Sequence, residues 1–253
     1  MKRIIMTALA TVMIGFGFGA NAAELITEKD VNGKLSANIG VVTEYFFRGI
    51  TQSDKKPALQ GGLDFVHNSG VYVGTWGSSV DFDAGTEETV EVDIYGGWSG
   101  ELGSSKVTLD VGAIYYWYPG SNAPGTAQYE FWEVYAGLSK DFGVASASTK
   151  ISYSPDYFAE SGDATYLELG VDIPVGKYFT VNLHGGYQWI DENTTFGAED
   201  YFDYLVGVSF SLIGLNFQVA YVGTDLDDTK SSNPLTCFRS SCSTVIASVS
   251  KSF

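Results

Sequence analysis

The sequence predicts an all-β fold, a transmembrane antiparallel up-and-down β-barrel of about twelve strands with short periplasmic turns and longer outer loops. Three observations support it: segments of about nine to fourteen residues alternate apolar and polar side chains, their connections alternate between short and long, and their charged residues share one face. A tilted strand of this length crosses a bilayer. The apolar face is therefore predicted to meet lipid and the polar face a wet lumen.

The composition supports this class and excludes others. Charged residues make up 17% of the chain, below the roughly 25% of soluble domains, and it has 30 Gly, 16 Tyr and 16 Phe. The net charge of −16, with no basic cluster, argues against a nucleic-acid partner. A soluble β-sandwich is the alternative, but its outward faces would be polar and its loops would not alternate in length.

The N-terminus carries the features of a secretory leader. Lys2 and Arg3 precede an apolar run over residues 4–18, and Ala22 ends a small-residue cleavage pattern. The run is too short for a membrane-spanning helix. We therefore expect export across the inner membrane and residence in the cell outer membrane. The predicted domains are a signal peptide at 1–22, a periplasmic lead-in at 23–34 and the outer-membrane barrel at 35–253.

Period-2 alternation places the strands in order along the chain. The first strand is predicted to run from Leu35 through Arg48. In residues 71–82 the two faces are nearly equal in polarity, so their register stays open. The outward positions of the other strands begin at Leu59, Val90, Val107, Trp132, Ala147, Leu167, Phe179, Tyr204, Leu215 and Val245.

The last eleven residues read STVIASVSKSF and end on Phe253. A closing strand that ends on a terminal aromatic residue resembles the C-terminal signal of bacterial outer-membrane barrel proteins. That resemblance implies that the last strand pairs with the first and that Phe253 is part of a signal read by the barrel-assembly machinery. Outer-membrane lipid would be the other constant partner.

Charged and polar side chains on the inward faces are the candidate site. Their acidic excess favours cations within a low-dielectric wall. Arg48 is either a constriction charge that selects solutes or a structural ion pair inside the barrel. The predicted pore-lining residues are Glu44, Arg48, Asp64, Glu91, Asp93, Asp110, Glu133, Lys150, Glu168, Asp172 and His184.

Catalytic and metal sites are not predicted. Of the two histidines, His67 falls in a predicted periplasmic turn and His184 lies mid-strand, where a hydrogen-bonded lumen histidine is the favoured interpretation. Cys237 and Cys242 lie in a long loop without a nearby His, and an oxidising compartment favours a disulfide between them. We expect no enzyme activity, no cofactor and no metal.

Residues 38–64 resemble the TorF-type porin family, a bacterial outer-membrane group whose function is not settled. The residues that match in this stretch are Glu44-Tyr45, Phe47-Arg48-Gly49-Ile50, Gln52-Ser53-Asp54, Pro57-Ala58 and Gln60-Gly61-Gly62. The match continues beyond it with Gly74-Thr75-Trp76 and Val80-Asp81-Phe82. Thr51, where the pattern has Ser, and the loop of Cys237 and Cys242 depart from the family. The resemblance implies a barrel with porin activity and supplies neither a solute nor catalytic residues.

The leading functional hypothesis is a passive diffusion channel for small hydrophilic solutes, with a preference for cations. Eight strands leave an interior filled by side chains and sixteen leave a wide channel, so twelve predict a narrow one. The alternatives are a non-conducting structural or adhesive barrel and, with less support, a barrel hydrolase. Oligomeric state and solute identity stay open.

Overall fold

A computed structural model of the chain describes residues 32–82, 89–120, 128–191, 199–226 and 243–253. Strands dominate, and two short 3-10 helices lie at Gly103–Ser105 and Phe158–Glu160. No helix within these ranges has the length and apolar character needed to span a membrane. In chain order the strands are β1 (Gly33–Val42), β2 (Phe46–Phe47), β3 (Ile50–Thr51), β4 (Ala58–His67), β5 (Val71–Ser79), β6 (Val90–Glu101), β7 (Val107–Trp117), β8 (Phe131–Asp141), β9 (Ser146–Ser154), β10 (Ala164–Val175), β11 (Phe179–Ile190), β12 (Tyr201–Leu212), β13 (Leu215–Thr224) and β14 (Ser243–Ser252).

Twelve of these strands form a closed antiparallel barrel, which confirms the predicted fold class. Each wall strand pairs with its neighbours in sequence, and β1 pairs with both β4 and β14 to close the wall. The closing ladder continues to the end of the chain: the Phe253 N–H donates to the Ala37 carbonyl at 2.8 Å, and the Ala37 N–H donates to the Phe253 carbonyl at 3.2 Å. β2 and β3 pair only with each other.

Connections alternate in length around the barrel, as predicted. The short turns, at 68–70, 102–106, 142–145, 176–178 and 213–214, define the short-turn end, and the opposite end is the long-loop end. The tightest turn is Ile213-Gly214, where both residues have positive φ, 51° and 78°. Two positive φ values characterise the type I′ turn, whose twist matches that of the strands it joins. The alternation therefore reflects real hairpin geometry.

Alternating side chains divide the wall into an apolar outer face and a polar inner face. On β6 the outward Ile94 is 52% exposed, whereas the inward Glu91 and Asp93 are almost fully buried. The register of residues 71–82, which the sequence left open, is settled by exposed Val71 and Val73 and by inward Tyr72. Exposed aliphatic side chains around a closed wall are what a lipid-facing surface requires.

Aromatic side chains concentrate toward both ends of the outer face. Near the long-loop end the ring centroids of Phe202 and Tyr204 are 6.3 Å apart, and those of Tyr204 and Tyr221 are 5.9 Å apart. Near the short-turn end Phe210 stacks on Phe217 at 5.1 Å. Two aromatic bands separated by aliphatic wall resemble the interfacial girdles of transmembrane barrels.

The first strand is shorter than its alternation predicts, and this prediction was wrong. The pattern continues through Arg48, but β1 ends at Val42 and residues 43–57 leave the wall. Phe46 then packs inside the barrel with Leu205 and Val222. A hairpin that buries one face against the inner wall satisfies the same period-2 pattern as a wall strand, so periodicity alone cannot separate the two.

Candidate functional site

A small hairpin occupies the interior of the barrel at its long-loop end. We call residues 45–52 the lumen hairpin; it contains β2, β3 and the turn at Arg48 and Gly49, both with positive φ. A Cβ atom at Gly49 would lie 2.8 Å from the Asp203 Cβ and 3.0 Å from the Gly223 carbonyl oxygen. Glycine is therefore required at a tip that touches the inner wall.

Arg48 fixes the hairpin tip to the far side of the lumen. Its Nη2 donates to the Glu133 carboxylate at 2.7 Å and its Nη1 donates to Gln188 Oε1 at 2.9 Å. The guanidinium carbon lies 4.2 Å from the centroid of the Tyr166 ring, within cation–π range. Only 3% of Arg48 is exposed. Three elements of the wall thus hold one side chain of the hairpin.

The charge of this contact is stable at ordinary pH. Burial lowers the pKa of Arg48, but the adjacent Glu133 carboxylate raises it, and the net result is a pKa well above the usual value. Burial raises the pKa of Tyr157, in the loop beside Arg48, to about 12, although the guanidinium itself lowers it. Both groups therefore keep their ordinary protonation states, a cationic guanidinium and a neutral phenol.

Aromatic rings fill the space around the hairpin. Phe47 lies edge-on to Tyr116 at 5.6 Å, and Tyr116 stacks on Phe131 at 4.3 Å. Glu133 and Gln188 behind them are 2% and 0% exposed. In the described part of the chain, the long-loop half of the lumen is therefore packed with buried side chains.

Two acidic side chains of β6 lie in this packed half. The Tyr45 hydroxyl donates to Glu91 Oε1 at 3.0 Å, and burial, followed by the Glu91 charge, raises the pKa of Tyr45, which keeps it a donor. Glu91 Oε2 and both carboxylate oxygens of Asp93 are buried without a hydrogen-bond partner. The site thus contains acceptors that nothing in the described chain satisfies.

The short-turn half differs because its charged groups remain partly exposed. The ammonium of Lys150 lies 3.1 Å from Glu168, and their side chains are 17% and 12% exposed. Asp64 accepts a hydrogen bond from Tyr95, and Asp110 accepts one from Tyr72 at 2.6 Å. This half is a water-accessible vestibule lined by charge.

Glycines opposite the inward tyrosines keep the vestibule open. A Cβ at Gly112 would lie 2.5 Å from the Tyr135 hydroxyl and 2.7 Å from the Gly96 carbonyl oxygen. The same close approach occurs at Gly97 with the Tyr72 hydroxyl, at 2.5 Å. Because these positions lack side chains, the tyrosine rings can lie along the wall instead of projecting across the lumen.

His184 belongs to a small polar cluster near mid-wall. Its Nε2 lies 2.9 Å from Asp203 Oδ1 and 3.1 Å from the Tyr166 hydroxyl, which in turn donates to Asp203 Oδ2 at 2.8 Å. A cavity of about 10 Å³ beside it is lined in part by Phe46 and Gly49 of the lumen hairpin. That volume holds roughly one water molecule.

The predicted site residues all lie inside the barrel, but not all on the elements expected. Arg48 and Glu44 are on the loop that enters the lumen and not on β1; Glu44 accepts hydrogen bonds from the Thr51 hydroxyl at 2.7 Å and the Lys55 N–H at 3.2 Å. Glu91, Asp93 and Glu133 are in the packed half, and Asp64, Asp110, Lys150, Glu168, Asp172 and His184 retain some exposure. The proposed disulfide cysteines, Cys237 and Cys242, lie outside the described residues.

The predicted site residues did not include Asp203, Tyr45 or Gln188, although the alternation of its strand places Gln188 on the inward face. Asp203 lies on the inward face of β12, because Phe202 and Val206 face outward. The alternation of apolar and polar residues in this strand is therefore enough to place Asp203 inside. Tyr45 could not be found this way, because its place was assigned to the outer face of a longer first strand. Among the described residues, no group of three or more His, Cys, Asp or Glu side chains surrounds a common metal position.

Comparison with known families assigns the chain. The model of a family described as bacterial protein of unknown function (Gcw_chp) matches residues 27–253. The chain belongs to this family. The Gcw_chp description names no activity, so the TorF-type designation stays a prediction. No curated protein sequence matches this Gcw_chp chain.

Solved structures similar to this Gcw_chp barrel share little sequence with it. A membrane protein from a study of in-meso crystallization has 8% identity and a TM-score of 0.51, with 87% of this chain and 83% of that chain covered. The COG4313 outer membrane channel of Pseudomonas putida F1 has 11% identity, coverages of 92% and 99%, and a TM-score of 0.49. LpxR of Salmonella typhimurium has 10% identity, coverages of 86% and 99%, and a TM-score of 0.43. At these identities the likeness concerns the fold alone.

Proposed function

We propose that this protein is an outer-membrane channel for small hydrophilic solutes, closed in the described conformation by the lumen hairpin. The observation that carries the proposal is the charged, water-accessible vestibule that ends at the hairpin. A barrel that needed only a filled interior would be at least as stable with apolar side chains there, because buried ion pairs contribute little net stability. The Arg48–Glu133 ion pair is compatible with a hairpin that can leave the lumen, because water can solvate both charged groups once they separate.

Selectivity in this proposal comes from the vestibule. Its partly exposed carboxylates, Asp64, Asp110, Glu168 and Asp172, outnumber the basic group Lys150. In a narrow lumen such an excess lowers the energy of a cation and raises that of an anion. We expect cation preference to weaken at high salt, since the Debye length falls from about 10 Å at 0.1 M to 3 Å at 1 M.

Planar-bilayer recording of the purified full-length protein tests the proposal. Replacing residues 45–52 by a Gly-Ser-Gly-Ser linker should turn a closed or briefly opening barrel into a steadily conducting one. Lys56→Ala is the matched control, because Lys56 lies in the same loop but is paired with Asp81 at an exposed position. A folded, heat-modifiable hairpin-free barrel without conductance would refute the channel proposal.

Reversal potentials of the hairpin-free barrel test the vestibule separately. Asp64→Asn with Asp110→Asn should reduce the cation preference and leave the conductance largely in place. A chloride preference in the hairpin-free barrel without these substitutions would mean that Lys150 determines the ion selectivity. It would contradict the proposal that the vestibule carboxylates do so.

A non-conducting structural or adhesive barrel is the second candidate, and the packed long-loop half is the observation that favours it. Buried side chains fill that half, and Arg48 is anchored by three wall elements. In this case neither the intact protein nor the hairpin-free variant conducts. The same recordings therefore separate the two candidates.

We assign no enzyme activity. The hydrogen-bonding partners of His184 are a phenol and a carboxylate, an arrangement that serves to fix a lumen side chain. His184→Ala should leave conductance and selectivity within about twofold of the unsubstituted hairpin-free barrel, since it removes one polar group from mid-wall.

The remaining parts of the chain complete the proposal. Residues 1–22 serve as a signal peptide and 23–34 as a periplasmic lead-in, and the barrel is inserted by the assembly machinery through a signal that includes Phe253. Membrane lipid and small solutes are the expected partners, and no cofactor is involved. Within this proposal the protein joins the TorF-type porins, with a Cys237–Cys242 disulfide in an outer loop.

A further inference from the structure

Two buried carboxylates of β6 form no ion pair with any basic side chain in the described ranges. Glu91 and Asp93 are two residues apart on the same inward face, with Cα atoms about 6.6 Å apart. They are 1% and 0% exposed, and three of their four carboxylate oxygens lack a hydrogen-bond partner. Arg48, the basic side chain of the lumen hairpin, is already paired with Glu133. The two carboxylates thus form an acidic pair that the described protein does not neutralise.

Leaving this pair charged would be costly. Removing a carboxylate from water costs several kcal/mol even after relaxation, and a second like charge nearby adds to the cost. The hydroxyls of Tyr45 and Tyr118 hydrogen-bond to Glu91, and three of the four oxygens are still left without a partner. Water molecules could donate hydrogen bonds to the rest, but they would not supply positive charge. Either bound protons or a cation must therefore neutralise the pair.

We propose that Glu91 and Asp93 bind one hard divalent cation of the calcium type beneath the lumen hairpin. Two carboxylates match its charge, and calcium takes six to eight oxygen ligands that include waters. A complete set of protein ligands is therefore unnecessary. The site offers neither the thiolates nor the imidazoles that zinc prefers. Its donors are hard oxygens throughout.

The cation also ties the hairpin to the wall. Tyr45 belongs to the lumen hairpin and donates to Glu91, so an ion that fixes Glu91 fixes the acceptor of this bond. The ring of Tyr45 lies 5.6 Å from that of Trp76 on β5. Removal of the cation should loosen the hairpin on this side, whereas Arg48 holds the other. The site thus gives the closed conformation a dependence on divalent ions.

Calcium binding to the purified full-length barrel in detergent tests the proposal directly. Isothermal titration should give about one calcium per chain, and terbium substituted for calcium should luminesce on excitation of the nearby Tyr45 and Trp76 rings. Glu91→Gln with Asp93→Asn keeps size and removes charge, and it should weaken binding about tenfold or more because calcium affinity follows ligand charge. Asp64→Asn is the matched control, because its carboxylate already has Tyr95 as a partner.

Three results would overturn the site. One is the absence of calcium binding to the unsubstituted barrel, and another is equal binding by the double variant and the control. The third is a thermal stability that responds to pH but not to calcium or EDTA, which would mean that protons neutralise the pair. If the double variant does not fold, Asp93→Asn alone serves in its place. None of these measurements uses conductance, so their outcome is separate from that of the channel proposal.

Discussion

Arg48→Met gives the sharpest test of how the lumen is closed. Methionine keeps the length and apolar contacts of the side chain but removes the charge that pairs with Glu133 at 2.7 Å. Removing one partner of a buried ion pair costs about 3 to 5 kcal/mol, because the other charge is left uncompensated. Much of this cost disappears when the hairpin leaves and water reaches Glu133. The free energy that seats the hairpin should fall by a similar amount.

Amide hydrogen exchange measures this free energy locally. The Gln52 N–H donates to the Tyr45 carbonyl at 2.7 Å, and the Tyr45 N–H donates to the Ser53 hydroxyl at 2.9 Å, so these amides report hairpin seating. A loss of 3 to 5 kcal/mol corresponds to exchange on the order of 10² to 10⁴-fold faster. Peptides covering residues 45–52 should show it, while the strands of the wall keep their protection.

Two further variants decide the cause. Arg48→Met with Glu133→Gln removes both charges and should restore part of the protection. Lys150→Met breaks the ion pair with Glu168 in the vestibule and should leave residues 45–52 unchanged. Unchanged exchange in Arg48→Met, or an equal increase over the whole barrel, would show that this ion pair does not hold the hairpin.

Three other predictions concern the wall and its placement. Deleting Phe253 removes the last two hydrogen bonds to Ala37 and should lower the level of folded barrel without blocking secretion; normal levels would argue against a role in assembly. Gly112→Ala should cost about 1 to 3 kcal/mol through overpacking against Tyr135 and lower the temperature of heat modification, whereas Gly137→Ala, whose nearest contact is 3.3 Å, should cost less. Cell fractionation should recover a heat-modifiable protein with the outer membrane, and a soluble periplasmic protein would contradict the placement.

Local alternation was sufficient to predict the wall. Each clear strand, such as the one with outward Ile94 and inward Glu91, buries one face and exposes the other, and a slip by one residue would expose charge to lipid. The register of residues 71–82 could not be predicted, because inward Tyr72 and Trp76 are as apolar as outward Val71 and Val73. Inside a lumen that contains packed aromatic rings, polarity no longer distinguishes the two faces.

The closed site was not predictable from local pattern. Arg48 contacts Glu133 and Gln188, which are 85 and 140 residues away in sequence, and no periodicity encodes such a pairing. The choice between its two roles, constriction charge or structural ion pair, depends on this distant geometry. Asp203 was different: the alternation of β12 gives it an inward position, although it was not among the predicted site residues.

The pairing of β1 with β14 gives the order in which the molecule can be assembled. β1 leads directly into the lumen hairpin, and its closing partner is the last strand of the chain. The hairpin cannot reach its contacts on β8 and β11 before those strands are in place, and contacts of such long sequence separation form late. β1 therefore both closes the barrel wall and leads into the hairpin that fills the lumen. A barrel whose β1 and β14 have not yet paired has an open interior, and the hairpin fills it as the wall is completed. In pulse-labelling exchange, protection at residues 45–52 should follow that of the β8 to β11 wall.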